Sequence, residues 1–182
     1  NVNIYNCYTT GDPHTDENSP QFHAGGGICG RYAGHDYGNV TIYDCSYIGD
    51  ISGQYAGGIC GPYAGYSGTL TITLCDNTGA VSGDRAGGIC GACAAYEGGT
   101  VTIENCTNSG DIGDSTNLKS AGGICGCLYA LNDTSSNDAT LTIFNCSNSG
   151  DLVGQWCGGI LGSGYDEIDS STYDTSHRKI TI

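Results

Sequence analysis

The pentapeptide GGICG occurs at residues 26–30, 57–61, 87–91 and 122–126, and a fifth copy at 158–162 reads GGILG. A second motif, typified by VTIENCTNSGD, begins at Val2, Val40, Leu70, Val101, Leu141 and, as a short copy, Ile180. These starts lie 38, 30, 31, 40 and 39 residues apart, and the insertions fall at the same two points of the repeat. A period of this size is typical of stacked repeat units. The sequence predicts one domain, 1–182, with repeats 2–39, 40–69, 70–100, 101–140, 141–179 and a partial copy at 180–182.

The residues of the repeat favour strands over helices. V-T-I alternates apolar and polar β-branched residues, the period-two pattern of a half-buried strand. The 32 glycines interrupt any helical pattern, and NSGD and NTGA are turn sequences. We therefore predict an all-β fold, a β-solenoid (β-helix) of about five coils whose equivalent strands pair in parallel about 4.8 Å apart.

Equivalent residues of stacked coils form columns, and the apolar columns are expected to fill a narrow core. The paired glycines of GGICG allow close approach of the backbone or a positive φ at a corner. The predicted core columns are Val40, Leu70, Val101 and Leu141; Ile42, Ile72, Ile103 and Ile143; and Ile28, Ile59, Ile89, Ile124 and Ile160.

GGICG together with VTIENCTNSGD resembles the GLUG repeat, in which GG-[LI]-[VC]-G accompanies a stretch like NCYNTGDV. The resemblance covers essentially the whole chain in five copies. It implies a large extracellular or cell-surface protein with a β-solenoid fold, often adhesive, and it implies no particular activity. This chain carries cysteine where the family more often has valine, which gives disulfides extra weight here.

Twelve cysteines in an acidic, glycine-rich chain predict an oxidising compartment and disulfide staples. Spacing alone does not choose the partners. One scheme pairs cysteines within each repeat and uses all twelve, since Cys157 replaces the cysteine lost at Leu161. Its bonds are Cys7–Cys29, Cys45–Cys60, Cys75–Cys90, Cys106–Cys125, Cys146–Cys157 and Cys93–Cys127.

The rival scheme joins each GGICG cysteine to the next repeat. It leaves Cys7 and Cys157 to join neighbouring subunits. Its bonds are Cys29–Cys45, Cys60–Cys75, Cys90–Cys106, Cys125–Cys146 and, again, Cys93–Cys127.

Charge excludes some partners. Five Lys and Arg against 19 Asp and Glu give a formal net charge of −14, which predicts no binding to nucleic acid. No apolar run is long enough for a membrane helix, so no membrane insertion is predicted. Stacked carboxylates in an acidic column need solvent or a cation, but the repeated ligand pattern of calcium-binding β-rolls is missing. We predict no cofactor, with calcium as the weak alternative. The column comprises Asp12, Asp50, Asp111 and Asp151, with Ala80 interrupting it.

Nothing in the sequence forms a catalytic constellation, and we predict no enzyme activity. The few basic residues are scattered among repeats, and all four histidines lie in insertions or loops. Two binding alternatives remain. Exposed tyrosines would stack on sugars in a carbohydrate-binding adhesion module, and T-x-T pairs in successive repeats are similar to the ice-binding face of insect antifreeze β-helices. The tyrosines are Tyr5, Tyr43, Tyr63 and Tyr129; the pairs are Thr69/Thr71, Thr100/Thr102 and Thr140/Thr142.

The leading expectation is a secreted structural repeat protein, part of an extracellular fibre or surface adhesin. The chain starts inside a repeat, which suggests a processed product or fragment. Val2 and Ile4 at one end and Ile180 and Ile182 at the other are predicted to form an end-to-end interface, either between subunits of a filament or within a covalent array. Sequons mark Asn132 and Asn39 as N-glycosylation sites. For a eukaryotic source we predict sugar on Asn132, which lies in a polar insertion, and not on Asn105 or Asn145, whose column faces a turn beside a disulfide.

Overall fold

The computed structural model describes residues 1–11, 25–113, 120–127, 138–162 and 178–182. These residues form three parallel sheets, and their only helical element is one turn of 3-10 helix at Tyr96–Gly98. The predictions of an all-β fold and of parallel pairing between repeats are confirmed. The arrangement is compatible with a β-solenoid.

The first sheet contains the T-x-T strands. Its six strands pair in the order of the chain, each with its equivalent in the next repeat. Val40 pairs with Leu70, Ile42 with Ile72, and Leu141 with Ile180, as the repeat alignment requires. The strands are Val2–Tyr5, Asn39–Tyr43, Thr69–Thr73, Thr100–Glu104, Ala139–Phe144 and Arg178–Thr181.

Two further sheets are built from two-residue strands. The second sheet follows the cysteine of the NC motif, and the third follows the SGD turn. The second contains Tyr8–Thr9, Ser46–Tyr47, Asp76–Asn77, Thr107–Asn108 and Ser147–Asn148. The third contains Ile51–Ser52, Val81–Ser82, Ile112–Gly113 and Leu152–Val153.

GGICG pairs with itself in the next repeat. Single parallel bridges join its first glycine and its cysteine to the same positions, for example Gly57 to Gly87 and Cys60 to Cys90. A side chain on the second glycine would overlap the next repeat, since a Cβ on Gly58 would collide with the carbonyl of Gly88. None of these glycines has a positive φ. Of the two reasons predicted for GG, close backbone approach is therefore the one that applies.

The core contains the predicted columns, together with residues of the two short-stranded sheets such as Tyr47, Val81 and Ile112. The isoleucines after V-T or L-T are at most 2% exposed from the second repeat to the fifth, and Ile59, Ile89 and Ile124 are fully buried. Ile28 and Ile160, at the two ends of their column, are only partly buried because each has a neighbour on one side only. No helix in the described part of the chain is long and apolar enough to span a membrane.

Corners recur at fixed positions, where non-glycine residues take a positive φ. The residue before the NC-motif cysteine does so in every repeat, with φ between 50° and 54°. Asparagine and aspartate tolerate this left-handed region best, which accounts for four of its five members. Leu74 is the exception. The members are Asn6, Asp44, Leu74, Asn105 and Asn145.

Candidate functional site

Threonines form two rows on the outer face of the first sheet. They alternate along each strand with buried residues such as Leu70 and Ile72, so their side chains point away from the core. Threonine is β-branched and has restricted χ1 rotamers, so the hydroxyls and methyls of a row repeat at the strand spacing of about 4.8 Å. By register, one row is Asn3, Thr41, Thr71, Thr102, Thr142 and Thr181, and the other is Asn39, Thr69, Thr100, Thr140 and Lys179.

This threonine face is most regular between the third and fifth strands. Over the first three strands it carries an open depression of about 470 Å³, whose lining includes Asn1, Asn39 and Thr69. The complete T-x-T pairs belong to the strands from Thr69 to Phe144. A repeating hydroxyl surface therefore has its centre at Thr102, away from the asparagines of the first two strands.

Three of the predicted end-interface residues, Val2, Ile4 and Ile180, lie on the two outermost strands of the first sheet, and Ile182 follows the last strand by one residue. Val2 is 55% exposed and Ile180 is 48% exposed, whereas Leu70 and Val101 of the same column are fully buried. Ile4 is half-buried, and Ile182 is 70% exposed. Apolar column positions are therefore open at both edges of the described sheet. Whether these edges contact another chain stays a prediction.

Tyrosines and one histidine form a ladder outside the core, across the first three repeats. The rings of Tyr32 and Tyr63 lie 5.3 Å apart, and those of Tyr66 and Tyr96 are also 5.3 Å apart. Tyr32 and Tyr63 form one row, and Tyr66 and Tyr96 form a second. The two rows contact each other, with 6.4 Å between the rings of Tyr63 and Tyr66. His35 continues the second row, 4.8 Å from Tyr66. Ring–ring packing between repeats thus stabilises this corner.

The ladder offers little open ring face to a sugar. The Arg31 guanidinium lies 4.4 Å from the centre of the Tyr32 ring and 4.7 Å from that of Tyr63. Burial raises the pKa of Tyr63, and a hydrogen bond to Glu97 raises that of Tyr66, so both hydroxyls stay protonated well above neutral pH. Tyr63 is thus a packing residue here.

Two other tyrosines named for sugar binding lie at the margin of the threonine face. Tyr5 and Tyr43 are 51% and 40% exposed and meet edge to face, with ring centres 6.0 Å apart. Tyr129 lies outside the described residues. The structure therefore does not bring Tyr5, Tyr43 and Tyr63 into one aromatic platform.

A buried asparagine ladder runs along the second sheet. Asn77 donates to the Oδ1 of Asn108 at 2.7 Å, and Asn108 donates to the Oδ1 of Asn148 at 2.7 Å. Each amide also donates to the carbonyl of the glycine two residues later, and Asn77 and Asn108 are at most 1% exposed. Sequence reasoning assigned NSG and NTG only to turns. The signal for a ladder was the recurrence of N-[ST]-G in three consecutive repeats.

The ladder ends where its sequence pattern ends. Tyr47 holds the equivalent position in the preceding repeat, and its hydroxyl donates instead to the Gly11 carbonyl at 2.5 Å. The Oδ1 of Asn77 is consequently buried without a hydrogen-bond partner. One tyrosine therefore stops a chain of amide bonds that the next three repeats maintain.

Amides also stack at the turn before the NC-motif cysteine, in the last two complete repeats. Asn145 donates to the Oδ1 of Asn105 at 2.6 Å. Asn145 is exposed and Asn105 half-buried. This amide pair joins equivalent turns of successive repeats at the surface, which supports a structural role.

The acidic column also bonds to backbone. Asp50 accepts a hydrogen bond from the amide of Ala80 at 2.9 Å, and Asp111 accepts one from the amide of Asp151 at 3.0 Å. Each carboxylate therefore caps the equivalent position in the next repeat. Asp12 lies outside the described residues, among which no cluster of three His, Cys, Asp or Glu side chains is placed to hold a metal ion.

Cysteines occupy two columns, as predicted, and all twelve are thiols in the structure. We name the columns by their order in the repeat. The first comprises Cys7, Cys45, Cys75, Cys106 and Cys146; the second comprises Cys29, Cys60, Cys90 and Cys125, and ends at Leu161.

Contacts between thiols run along these columns. In the second column the Cys60 thiol hydrogen-bonds with both Cys29 and Cys90. In the first, the Cys106 thiol hydrogen-bonds with both Cys75 and Cys146. The central members are fully buried, whereas Cys7, Cys29 and Cys146 at the ends are half-buried. Each central cysteine therefore has a thiol neighbour in the repeat before and in the repeat after.

Neighbouring thiols and burial shift the acidity of individual cysteines. A hydrogen bond from Cys60 lowers the pKa of Cys29 to about 7, and one from Cys106 lowers the pKa of Cys146 to about 7. Burial raises the pKa of Cys45 to about 11. The most acidic half-buried thiols thus lie at opposite ends of the stack, one in each column.

Cys93 and Cys127 meet outside the main core, as both pairing schemes assumed. They form a separate buried cluster with Ala92, against which Tyr55 and Tyr63 pack, and the Cys93 amide donates to the Cys127 carbonyl at 3.0 Å. Arg85 lies nearby, donating to the Tyr55 hydroxyl and to Asp84, each at 3.0 Å. The pairing of the cysteines into disulfides stays a prediction.

One of the two predicted glycosylation sites lies among the described residues, and the other does not. Asn39 is exposed, and its amide donates to the Oδ1 of Asn1 at 3.2 Å, at the margin of the threonine face. Asn132 lies outside the described residues, as do three of the four histidines. The remaining histidine, His35, is exposed and lies 3.1 Å from the carboxylate of Asp36.

Comparison of the chain with family models, with curated proteins and with solved structures finds no match.

Proposed function

We propose that this chain is a β-solenoid of about five coils that serves as a rigid structural segment of an extracellular fibre or surface adhesin. The observation that carries the proposal is the register of the first sheet, in which each repeat pairs with the same residues of the repeats before and after it. A unit with matching upper and lower faces extends by addition of identical units, which is the property a fibre needs.

The edges support this reading. Val2 and Ile180 are half exposed, although their column equivalents Leu70 and Val101 are fully buried. Another unit stacked on either edge would cover them and would satisfy the open backbone groups of the edge strand. That unit would be a second copy in a filament or a further repeat in a covalent array. The acidic surface and the GLUG-like repeat favour a location outside the cell or on its surface.

A charge in the end column tests the stacking of separate copies. Val2→Asp or Ile182→Asp should leave the fold intact and abolish polymers seen by electron microscopy and sedimentation. Asn3→Asp is the matched control, because it adds the same charge on the same strand but at an exposed position of the outward row. A wild-type chain that stays monomeric at high concentration would contradict stacking of separate copies.

Ice binding is the second candidate, favoured by the threonine face. Three consecutive strands present complete T-x-T pairs in register, so hydroxyls and methyls repeat in two directions on one surface. Ice-recrystallisation inhibition tests it. Thr102→Lys, at the centre of the face, should abolish inhibition, whereas Ser52→Lys, an exposed position of the third sheet, should not. Sugar binding has weaker support, because the three described tyrosines do not share a platform.

A further inference from the structure

The two cysteine columns place the thiols of successive repeats next to each other, an arrangement that the proposed fibre does not explain. Parallel bridges join Cys29 to Cys60, Cys60 to Cys90, and Cys90 to Cys125. Adjacent parallel strands lie about 4.8 Å apart. This spacing falls within the range of about 4.4–6.8 Å found between the Cα atoms of disulfide-bonded cysteines. Neighbours in a column are thus placed to form disulfides.

The first column has the same arrangement. The amide of Cys7 donates to the Sγ of Cys45 at 3.4 Å, and the amide of Cys106 donates to the Sγ of Cys146 at 3.5 Å. The Sγ of Cys75 lies 3.8 Å from the carbonyl oxygen of Ile42 in the preceding repeat. The sulfurs of Cys45, Cys75 and Cys146 therefore each contact the preceding repeat, in addition to a carbonyl of their own repeat at 3.3 Å.

We infer that oxidation of this protein forms disulfides between successive repeats within each cysteine column, in place of bonds between the two columns. The inference rests on the register and on the thiol contacts, and it holds whether or not the chain assembles into a fibre. Disulfides placed in this way bind each repeat to the next, where a bond within one repeat would only close a loop.

The second column has an even number of members, so one arrangement pairs all of them. That arrangement is Cys29–Cys60 with Cys90–Cys125, because a Cys60–Cys90 bond would leave both end cysteines without a neighbour. A disulfide draws two Cβ atoms to about 3.8 Å, closer than the strand spacing of about 4.8 Å. Formation of one bond therefore lengthens the next step of the column, which favours alternate pairing.

The oxidation balances with a low-molecular-weight disulfide such as oxidised glutathione. The Cys29 thiolate attacks the reagent, forms a mixed disulfide and releases one glutathione thiolate. The Cys60 thiol then loses its proton and attacks the Cys29 sulfur, which forms the protein disulfide and releases the second glutathione. Cys29 is suited to the first step, because it is half-buried and its pKa is lowered to about 7.

The first column has five members, so pairing of neighbours always leaves one thiol, at Cys7, Cys75 or Cys146. A Cys75 thiolate beside a Cys106–Cys146 bond can exchange with it. The Cys75–Cys106 bond forms, the Cys106–Cys146 bond breaks, and Cys146 leaves as the thiolate, so no external oxidant is consumed. Attack and departure lie along the column axis, as exchange requires. The unpaired thiol therefore moves to an end of the column, where water reaches it.

Direct mapping is the first test. Wild-type chain oxidised with glutathione disulfide is alkylated, digested at acid pH and analysed by mass spectrometry without reduction. We expect peptides joined by Cys29–Cys60 and Cys90–Cys125. Peptides joined by Cys45–Cys60 and Cys75–Cys90, or by Cys29–Cys45 and Cys60–Cys75, would overturn the inference.

A count of alkylated thiols gives an independent test. In a Cys157→Ser background, column pairing leaves one thiol in the first column, and addition of Cys75→Ser removes it because the remaining four members pair completely. The count should fall by one. In either scheme that joins the two columns, Cys75→Ser deprives a cysteine of the second column of its partner, and the count rises by one.

The site of the label completes the test. The single alkylated cysteine of the Cys157→Ser variant should be Cys7 or Cys146, and intact mass after labelling in denaturant counts every remaining thiol, whether buried or exposed in the folded protein. A label found mainly on Cys75 would refute exchange along the column. A count that rises by one would refute column pairing itself.

Discussion

Asn108 occupies the centre of the buried asparagine ladder, and its replacement by alanine tests whether the ladder stabilises the fold. The side chain makes three hydrogen bonds of 2.7 Å: it accepts one from Asn77, donates one to Asn148 and donates one to the Gly110 carbonyl. Alanine removes all three and leaves their partners in a site where Asn108 itself is 1% exposed.

The expected loss follows from the number of groups left without a partner. A buried donor or acceptor that loses its partner costs about 1–3 kcal/mol. One N–H of Asn77, the Oδ1 of Asn148 and the carbonyl of Gly110 lose a partner. At the low end of the range for each group, Asn108→Ala should lower the free energy of unfolding by about 3 kcal/mol.

Asn148→Ala is the matched control. Asn148 is half-buried, lies at the end of the described ladder and makes two of the same kinds of bond, to Asn108 and to the Gly150 carbonyl at 2.9 Å. We expect it to cost about two-thirds as much, or less, because it leaves two groups without a partner instead of three and lies at the half-buried end of the ladder. Urea unfolding of the reduced proteins, followed by circular dichroism, measures both. An unchanged denaturant slope would confirm that the transitions are comparable.

Equal losses for the two variants would refute the reasoning, since burial and ladder position would then have no effect. A loss below about 1 kcal/mol for Asn108→Ala would do so as well, because it would mean that the three groups find new partners.

Three further outcomes are expected. Gly58→Ala should destabilise by about 1–3 kcal/mol, since its Cβ would collide with the Gly88 carbonyl, whereas Gly159→Ala at the equivalent position should be nearly neutral because nothing lies within 4 Å; similar denaturation midpoints would contradict this. In reduced protein, burial raises the pKa of Cys45 from 9.0 to about 11, so the unfolded chain releases this proton first and stability should fall as pH rises through that window; a Cys45→Ser variant should lose less stability there. Reduction of the oxidised protein should lower the melting temperature steeply, at about 2–4 kcal/mol for each disulfide opened; an unchanged melting curve after verified reduction would rule out stapling.

Much of the fold could be predicted because the repeats can be aligned with one another in the sequence, and aligned residues are neighbours in the structure. The V-T-I pattern gave the strand and its buried face, and the spacing of the motifs gave the partner of each residue, including Ile180 opposite Leu141. The paired glycines were expected for one of two reasons, and the contact between Gly58 and the next repeat decides between them. Periodicity is informative here because each residue has its own equivalents as neighbours.

Corners and side-chain partners were harder to predict. Tyr55 and Arg85 hold the same left-handed corner, with φ of 63° and 59°, although neither residue type favours it. Their side chains join the two corners, since Arg85 donates to the Tyr55 hydroxyl in the preceding repeat. Local propensity cannot reveal a bond made between repeats, so the sequence pattern gave no expectation for these two residues.

The cysteine pairing could not be deduced for a different physical reason. Cys45, Cys60 and Cys75 are evenly spaced by 15 residues. A Cys45–Cys60 bond and a Cys60–Cys75 bond therefore close loops of the same length, and the entropy of loop closure does not favour either of the two schemes that join the columns. The structure adds a third set of neighbours, along each column, at which chain separation is 30 to 40 residues and spatial separation is one strand spacing. Partners distant in sequence but stacked in register are the ones a spacing argument overlooks.

Columns also explain why position along the stack matters as much as residue type. A central member has an equivalent on both sides, and a terminal member has one, so burial and hydrogen bonding change toward the ends. Asn108 bonds in both directions, whereas Asn77 keeps an unpaired Oδ1 beside Tyr47. Cys60 has two thiol neighbours, whereas Cys29 is half-buried and more acidic. One substitution in a column therefore alters the environment of two neighbours, and the centre of the stack should tolerate the fewest changes.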